Sequence, residues 1–159
     1  MRGTFKLRSG VTASEYFDKY QFESDPKLLR AISESLVDLL PPEVDALAGL
    51  EIGGVPIAAV LSQITGMPAL FVRKQAKSYG TCRLAEGGEI SGRKVVLVED
   101  VVTSGGQILL STAELRSLGA VVHDAVCVID REAGGVASLA SEEVALRALF
   151  TMSELKQVA

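Results

Sequence analysis

The sequence predicts an α/β fold, with a doubly wound and mostly parallel sheet flanked by helices. The first observation behind this prediction is that apolar runs suited to strands alternate with segments of helical periodicity. The second is that the strand runs are short and rich in β-branched residues, as expected of strands covered on both faces. Ligands of such sheets bind outside the carboxyl ends of the strands, so the loops that follow the strands are the predicted functional regions.

Length and composition predict one soluble domain. The chain has 159 residues, of which 48% are hydrophobic, and a formal net charge of −4, which argues against a nucleic-acid-binding surface. No apolar run approaches the roughly 20 residues that span a bilayer. Cys82 and Cys127 suggest neither a disulfide framework nor a zinc site. We therefore expect a single domain over residues 1–159 in the cytoplasm, with no membrane and no nucleic-acid partner.

The N-terminal part predicts a hairpin followed by a helix. Residues 4–7 and 12–17 are two short segments on either side of Ser9-Gly10, which is typical of a turn between strands. Asp25 followed by Pro26 predicts a helix start. An apolar face continues from there until Pro41-Pro42, which ends the helix. We interpret this helix as packing rather than chemistry.

The next unit is a strand at 44–50 and a helix at 55–64. Four residues join them at the predicted carboxyl end of the strand: Glu51, Ile52, Gly53 and Gly54. The adjacent glycines are explained equally well by a tight turn and by a loop that lets a ligand approach the backbone.

A cluster of cations follows the short predicted strand Ala69–Val72. Three positive charges lie within the five residues 73–77, namely Arg73, Lys74 and Lys77, although the protein as a whole is acidic. Such a patch suits phosphate oxygens, and a solvated basic loop is the alternative. Residues 78–93 have no convincing periodicity, and loops this long are usually functional lids or disordered. We predict a lid, as part of a flexible loop at about residues 74–93.

The most informative stretch is 94–107. An apolar strand meets Glu99 and Asp100, and Thr103-Ser104-Gly105-Gly106 follows where a helical pattern begins. Free backbone N–H groups, hydroxyls and glycines at a helix start predict an anion cradle. The two carboxylates need partners that are not anions, and ribose hydroxyls or a divalent cation would serve. The pattern thus predicts a sugar phosphate with a metal, and a mere strand end with a helix cap is the alternative.

The C-terminal part predicts one more buried strand at 121–129, then Asp130, Arg131 and Glu132. His123 inside this strand is interpreted as structural. Arg131 could pair with the planar carboxylate of a ligand or form a surface salt bridge to a neighbouring acid. A last strand is predicted at 144–149, and Thr151 with Glu154 predicts a capping box that opens a terminal helix.

These motifs resemble a known family. The run EDVVTSGG at 99–106 resembles the 5-phosphoribosyl diphosphate (PRPP) signature of type I phosphoribosyltransferases. The run FKLRSG at 5–10 resembles the N-terminal hood of orotate phosphoribosyltransferases, and FVRKQAKSYG at 71–80 resembles their catalytic loop, with Tyr79 where a His is usual. The resemblance covers residues 5–155. It implies the type I phosphoribosyltransferase fold, with a hood at 1–24 and a core at 25–159.

The resemblance also implies an activity and its residues. The activity is transfer of the 5-phosphoribosyl group from PRPP to orotate, which gives orotidine 5′-phosphate and diphosphate in pyrimidine biosynthesis. The implied catalytic residues are Lys77, Arg73 and Asp100, and the implied orotate-binding residues are Arg8, Thr103 and Arg131. The implied PRPP-binding residues are Glu51, Ile52, Gly53, Gly54, Arg73, Lys74, Lys77, Tyr79, Glu99, Asp100, Val101, Val102, Thr103, Ser104, Gly105, Gly106 and Gln107.

Magnesium is the implied cofactor, carried mainly by PRPP with Glu99 and Asp100 nearby and with no metal site of the protein's own. A homodimer whose catalytic loop is shared between subunits is also implied. Two alternatives remain open at this point. A related transferase could act on another base, because the PRPP half of the site is shared, and a PRPP-binding regulator without catalysis would need no Lys77.

Overall fold

The computed structural model describes the backbone of residues 2–6, 12–15, 20–75 and 84–158, and side chains from residue 20 onward within those ranges. The strands are β1 (Arg2–Lys6), β2 (Thr12–Glu15), β3 (Ala46–Leu50), β4 (Ala69–Val72), β5 (Ala85–Glu86), β6 (Lys94–Val102), β7 (Val121–Asp130) and β8 (Ala145–Thr151). The helices are α1 (Tyr20–Ser24), α2 (Pro26–Leu36), α3 (Gly54–Thr65), α4 (Gly106–Ser117), α5 (Gly135–Ala140) and α6 (Met152–Gln157).

Strands β1 and β2 form a separate antiparallel hairpin, with Phe5 opposite Ala13 and Lys6 opposite Thr12. This agrees with the hairpin predicted for the N-terminal segment. The predicted turn and Arg8 lie outside the described residues.

The main sheet has six strands in the order β5-β4-β3-β6-β7-β8. All neighbours are parallel except β5, which pairs antiparallel with β4 at one edge. The chain passes from β3 through α3 to β4 on one side, and from β6 through α4 to β7 on the other. Strand order therefore reverses between β3 and β6, which is where sheets of this kind bind their ligands. The predicted fold class is confirmed.

Helices cover both faces of this sheet, which explains why its strands are apolar throughout. One face packs against α2 and α3 through Leu36, Ile57, Leu61, Val96 and Val98. The other packs against α4 and α5 through Leu97, Ile108, Leu115, Leu139 and Cys127. Residues 95–98 of β6 alternate between the two clusters because successive strand side chains point to opposite faces.

The local signals for helix ends are confirmed. The carboxylate of Asp25 accepts hydrogen bonds from the backbone N–H groups of Lys27 and Leu28 and so caps α2. The predicted capping box of Thr151 and Glu154 is present at the start of α6. The longest helices of the described part of the chain have 12 residues, and none of them is long and apolar enough to cross a membrane.

The C-terminal part of the predicted lid, from residue 84 to residue 93, is packed against the core. From Leu84 onward the chain adds β5 to the sheet edge, and Leu84, Ala85 and Ile90 are buried in the core. Gly87, at φ 111°, turns the chain back over the backbone of Ala69. Three isolated apolar residues anchor this segment, and they are too sparse to form a periodic pattern. The predicted flexible loop at 74–93 is therefore corrected at its C-terminal end, where 84–93 is packed structure.

Candidate functional site

The functional loops predicted from the sequence follow neighbouring parallel strands, so they meet at one edge of the sheet. Glu51 follows β3, Arg73 follows β4, Thr103 follows β6 and Arg131 follows β7. The backbone ties these ends together. The Glu51 N–H donates to the Val72 carbonyl at 2.8 Å, and the Arg131 N–H donates to the Val102 carbonyl at 2.8 Å. The site thus lies at the reversal of strand order.

The loop after β6 lies where the anion cradle was predicted. Gly105 lies at φ 78°, in the left-handed region, and Gly106 is the first residue of α4. Thr103 and Ser104 are exposed beside them. A concave surface here is lined by Glu99, by residues 101–106, and by Gln107 and Ile108. A helix start with exposed hydroxyls can bind an anion through unpaired N–H groups.

Helix α5 packs closely against this loop. A Cβ atom at Gly135 would lie 2.7 Å from the Thr103 carbonyl oxygen, and one at Gly105 would lie 3.1 Å from Leu139 Cγ. Gly135 was not among the residues predicted from the sequence. The adjacent glycines at 134 and 135 were the available signal, because such pairs often mark a close backbone approach.

The two acids lie inside β6 rather than after it, which corrects the sequence-based boundary. Glu99 is 8% exposed and Asp100 is fully buried at 0%. Because strand side chains alternate, Glu99 is on the α4 side and lines the concave surface, whereas Asp100 is on the α3 side. Each carboxylate also accepts a hydrogen bond from the next backbone N–H, at 3.1 Å for Glu99 and 2.5 Å for Asp100. Strand β6 extends beyond its pairing with β3, and these two carboxylates bind backbone N–H groups in the extended part.

The loop after β3 packs directly on β6. A Cβ atom at Gly53 would collide with the carboxylate of Asp100, and one at Gly54 would collide with the Val98 carbonyl. Both glycines are thus required for close backbone approach, and a tight turn alone does not account for them. The peptide bond between Glu51 and Ile52 is cis.

The start of the basic segment is attached to the same loop. The Lys74 N–H donates to the Glu51 carboxylate at 3.1 Å, and the Arg73 N–H donates to the Leu84 carbonyl at 2.9 Å. The Nε atom of Arg73 is buried and has no hydrogen-bond partner within the described ranges. Lys77 and Tyr79 lie outside the described residues, so the structure brings together only the first two predicted cations.

Arg131 is exposed at the end of β7, next to the cradle. The acids on either side of it are occupied by other groups. Asp130 accepts from the Glu132 N–H at 2.9 Å, and Glu132 accepts from the Ser153 N–H and hydroxyl of α6. Neither acid forms the surface salt bridge that was the alternative interpretation. The contact between Glu132 and Ser153 was missed, since no local pattern connects residues 21 positions apart.

Three buried acidic residues lie beneath the surface of the site and surround Cys127. Burial raises the pKa of the Cys127 thiol to about 12, and the nearby Asp130, Glu99 and Asp100 contribute in that order. Cys127 is consequently a neutral core residue rather than a nucleophile. Within the described part of the chain, no group of three His, Cys, Asp or Glu residues could hold a metal ion. His123 lies away from the site, on an exposed strand position where Nδ1 contacts the Glu143 carbonyl.

Comparisons with known proteins agree with this geometry. The phosphoribosyl transferase domain model matches residues 21–146. An orotate phosphoribosyltransferase of Nocardioides is 52% identical over 98% of this chain and 87% of the relative. One from Methanocella arvoryzae is 46% identical over 96% of this chain and 87% of the relative. The crystal structure of the Mycobacterium tuberculosis orotate phosphoribosyltransferase in complex with PRPP is similar, with a TM-score of 0.79 and 26% identity over 88% of this chain and 82% of that chain.

Proposed function

The chain belongs to the orotate phosphoribosyltransferase family, whose activity is the transfer of a 5-phosphoribosyl group from PRPP to orotate, and we propose that its residues divide this chemistry as follows. The observation that carries the proposal is the concave loop at 103–107, which follows the acids Glu99 and Asp100 after two valines, at the reversal of strand order. A sugar phosphate presents an anion to the cradle and hydroxyls to the acids.

We assign each residue to a part of PRPP from the place where it lies in the site. Residues 103–107 would hold the 5′-phosphate, and Glu99, which lines the same concave surface, would accept hydrogen bonds from the ribose hydroxyls. Asp100 is buried beneath Gly53, so its contact with the ribose requires the loop at 51–54 to move on binding. That loop, through the backbone of Glu51, Ile52, Gly53 and Gly54, would face the diphosphate.

Positive charge for the diphosphate would come from the segment after β4. Arg73, Lys74 and Lys77 are proposed to neutralise the charge that develops on the leaving group, with Tyr79 donating a hydrogen bond to a phosphate oxygen. The buried Nε of Arg73 without a partner in the described ranges supports this role, because a bound phosphate oxygen would satisfy it. The attachment of Lys74 to Glu51 supports a common diphosphate site for the two loops.

Magnesium fits this site as an ion that arrives with the substrate. Glu99 and Asp100 are the acids proposed to lie near the ion, and no group of three or more His, Cys, Asp or Glu residues that could hold a metal is found within the described chain. A diphosphate offers the hard oxygens that Mg²⁺ prefers. When bound, the ion would neutralise the leaving group, and the protein side chains would complete that neutralisation.

The reaction requires positioning more than covalent chemistry. The bond between ribose C1 and the diphosphate oxygen breaks with its electron pair leaving on the diphosphate, while N1 of orotate forms the new bond to C1 and gives up its proton, which the departing diphosphate can accept. Lys77, Arg73 and Asp100 are the proposed catalytic residues. Closure of the loop, which the packed segment from Leu84 limits to about residues 74–83, would exclude water and prevent hydrolysis of PRPP.

Recognition of orotate is proposed for Arg131, Thr103 and Arg8. Arg131 is exposed beside Thr103, and neither neighbouring acid pairs with it, so it is available for the carboxylate of orotate. A guanidinium matches a planar carboxylate through two parallel hydrogen bonds.

A base-selectivity assay tests the function. Loss of orotate absorbance is followed with PRPP and magnesium, and hypoxanthine, adenine and uracil are supplied in parallel. We expect turnover with orotate to exceed that with the other bases by about 100-fold or more, because a base without the carboxylate leaves Arg131 unpaired. Absence of turnover with orotate would refute the proposal.

The Lys77→Ala variant tests catalysis against mere binding. We expect kcat to fall by roughly 100-fold or more while the Kd for PRPP changes much less, because the lysine acts on developing charge. Equal losses in both quantities would favour a PRPP-binding regulator.

A cytoplasmic homodimer with a shared catalytic loop completes the proposal, and family membership supports it. Mixing K77A subunits with D100N subunits tests the shared loop, because a mixed dimer combines an intact loop with an intact pocket. We expect recovery of about a quarter of the wild-type activity on equal mixing. No recovery, with mixed dimers present, would show that each loop serves its own subunit.

A further inference from the structure

The residue after Arg131 forms a clasp between the end of β7 and the C-terminal helix. One carboxylate oxygen of Glu132 accepts from the Ser153 N–H at 2.8 Å and from the Ser153 hydroxyl at 2.5 Å. Ser153 is in the first turn of α6, which begins directly after β8. The clasp therefore joins the ends of two parallel strands at the edge of the sheet where the site lies.

The backbone of Glu132 is in an uncommon conformation, and hydrogen bonds restrain both its N–H and its side chain. Its φ of 57° lies in the left-handed region, which is unfavourable for a residue with a Cβ atom. Such conformations persist where the surroundings over-determine them. Here the Glu132 N–H is bound by the Asp130 carboxylate and the side chain is bound by Ser153. Without Ser153, much of this restraint is lost.

The clasp has a direct consequence for Arg131. Its N–H is bonded to the Val102 carbonyl, one residue before Thr103, and both flanking acids are engaged with other groups. The guanidinium is consequently exposed and not drawn into an ion pair with either neighbour. If Glu132 were released from α6, its carboxylate would become available to the adjacent guanidinium.

We propose that Glu132, through Ser153, is a positioning residue that presents Arg131 to the carboxylate of orotate. This inference rests on the proposed function, because it assigns the ligand of Arg131. It makes the docking of α6 part of base recognition. Glu132 itself acts only through Arg131.

The test compares Michaelis constants for the two substrates. Glu132→Ala should raise the KM for orotate by about tenfold and leave the KM for PRPP within about twofold, because only the base side loses its support. Ser153→Ala keeps one of the two donors and should give a smaller rise. Glu132→Gln keeps an acceptor oxygen for the Ser153 N–H and should restore most of the orotate affinity. The double variant E132A/S153A should be no worse than E132A, since the two residues act as one unit.

Glu143 provides a matched control. It is also an exposed glutamate at φ 57°, but it lies before β8, at the opposite edge of the sheet, and its contacts with Arg116 and His123 are made by its backbone carbonyl. Glu143→Ala should leave both Michaelis constants unchanged.

A purely structural role would lower the melting temperature and either leave both constants unchanged or raise them together, and either result would overturn the proposal. If E132A does not fold, the Michaelis constants of S153A and E132Q for orotate and PRPP are compared instead. Failure of the proposed function is seen separately, as absence of orotate turnover by the wild-type protein. That result would refute orotate as the ligand of Arg131 without any comparison of variants.

Discussion

The contact between Gly53 and Asp100 makes a quantitative prediction for the variant Gly53→Ala. Gly53 has φ −68° and ψ −31°, an ordinary helical conformation at the start of α3. In such a conformation, alanine by itself would stabilise the protein by about 0.4–1 kcal/mol relative to glycine. The backbone therefore gives no reason for glycine at this position.

Packing predicts that the same substitution lowers the stability of the protein. The new methyl group would overlap the Asp100 carboxylate, which is fully buried, and would lie 2.8 Å from Glu23 Oε1, which can move more easily at the end of a longer side chain. Overpacking of this kind costs about 1–3 kcal/mol. After subtraction of the backbone gain, we expect a net destabilisation of about 1.3 kcal/mol, within a range of roughly 0–2.6 kcal/mol. We also expect a higher KM for PRPP, because the displaced loop is the proposed diphosphate loop.

Urea unfolding of four proteins measures the effect: wild type, G53A, D100A and the double variant. With Asp100 truncated, the methyl group no longer overlaps the buried Asp100 carboxylate and meets only the more mobile end of Glu23, so G53A should become neutral or stabilising by up to about 1 kcal/mol. Gly106→Ala is a stability control, because its Cβ would meet nothing closer than Ser104 Oγ at 3.8 Å. An equal loss from G53A with and without Asp100 would refute the reasoning.

Three further predictions concern single residues. Asp25→Ala should cost about 1 kcal/mol in urea unfolding through loss of the α2 cap, and Asp25→Ser should restore most of it. Gly105→Ala should raise the KM for PRPP and destabilise the protein by more than Gly66→Ala does. Both positions have positive φ, at 78° and 76°, but only Gly105 also meets Leu139, so equal losses would contradict the crowding argument. The Cys127 pKa is raised in the folded state from 9.0 to about 12, so its stabilising contribution is complete below pH 9 and is lost as pH rises toward 12. Between these values the wild-type unfolding free energy should fall with pH more steeply than that of Cys127→Ala, by up to about 1.4 kcal/mol per pH unit, and parallel curves would show that the thiol does not titrate in this way.

Local chemistry explains which elements could be predicted. The cap at Asp25, the box at Thr151 and Glu154, and the glycine loop before α4 each depend on residues within a few positions of one another. Signals of this kind act through the neighbouring backbone, so they survive without knowledge of the tertiary fold. The short strand β5 gave no such signal, because its stability comes from pairing with β4 and from burial of Leu84.

The sequence by itself determined the alternation of strands and helices, the place of the glycine loop before α4 and the family to which the motifs point. Only the tertiary structure decided how those parts meet. It placed Asp100 under Gly53 rather than open at the rim, and it engaged Glu132 with α6 so that Arg131 stays exposed. The physical reason is distance along the chain. Residues about 20 to 50 positions apart contact one another only after the parallel strands have aligned their carboxyl ends, and no local pattern encodes that alignment.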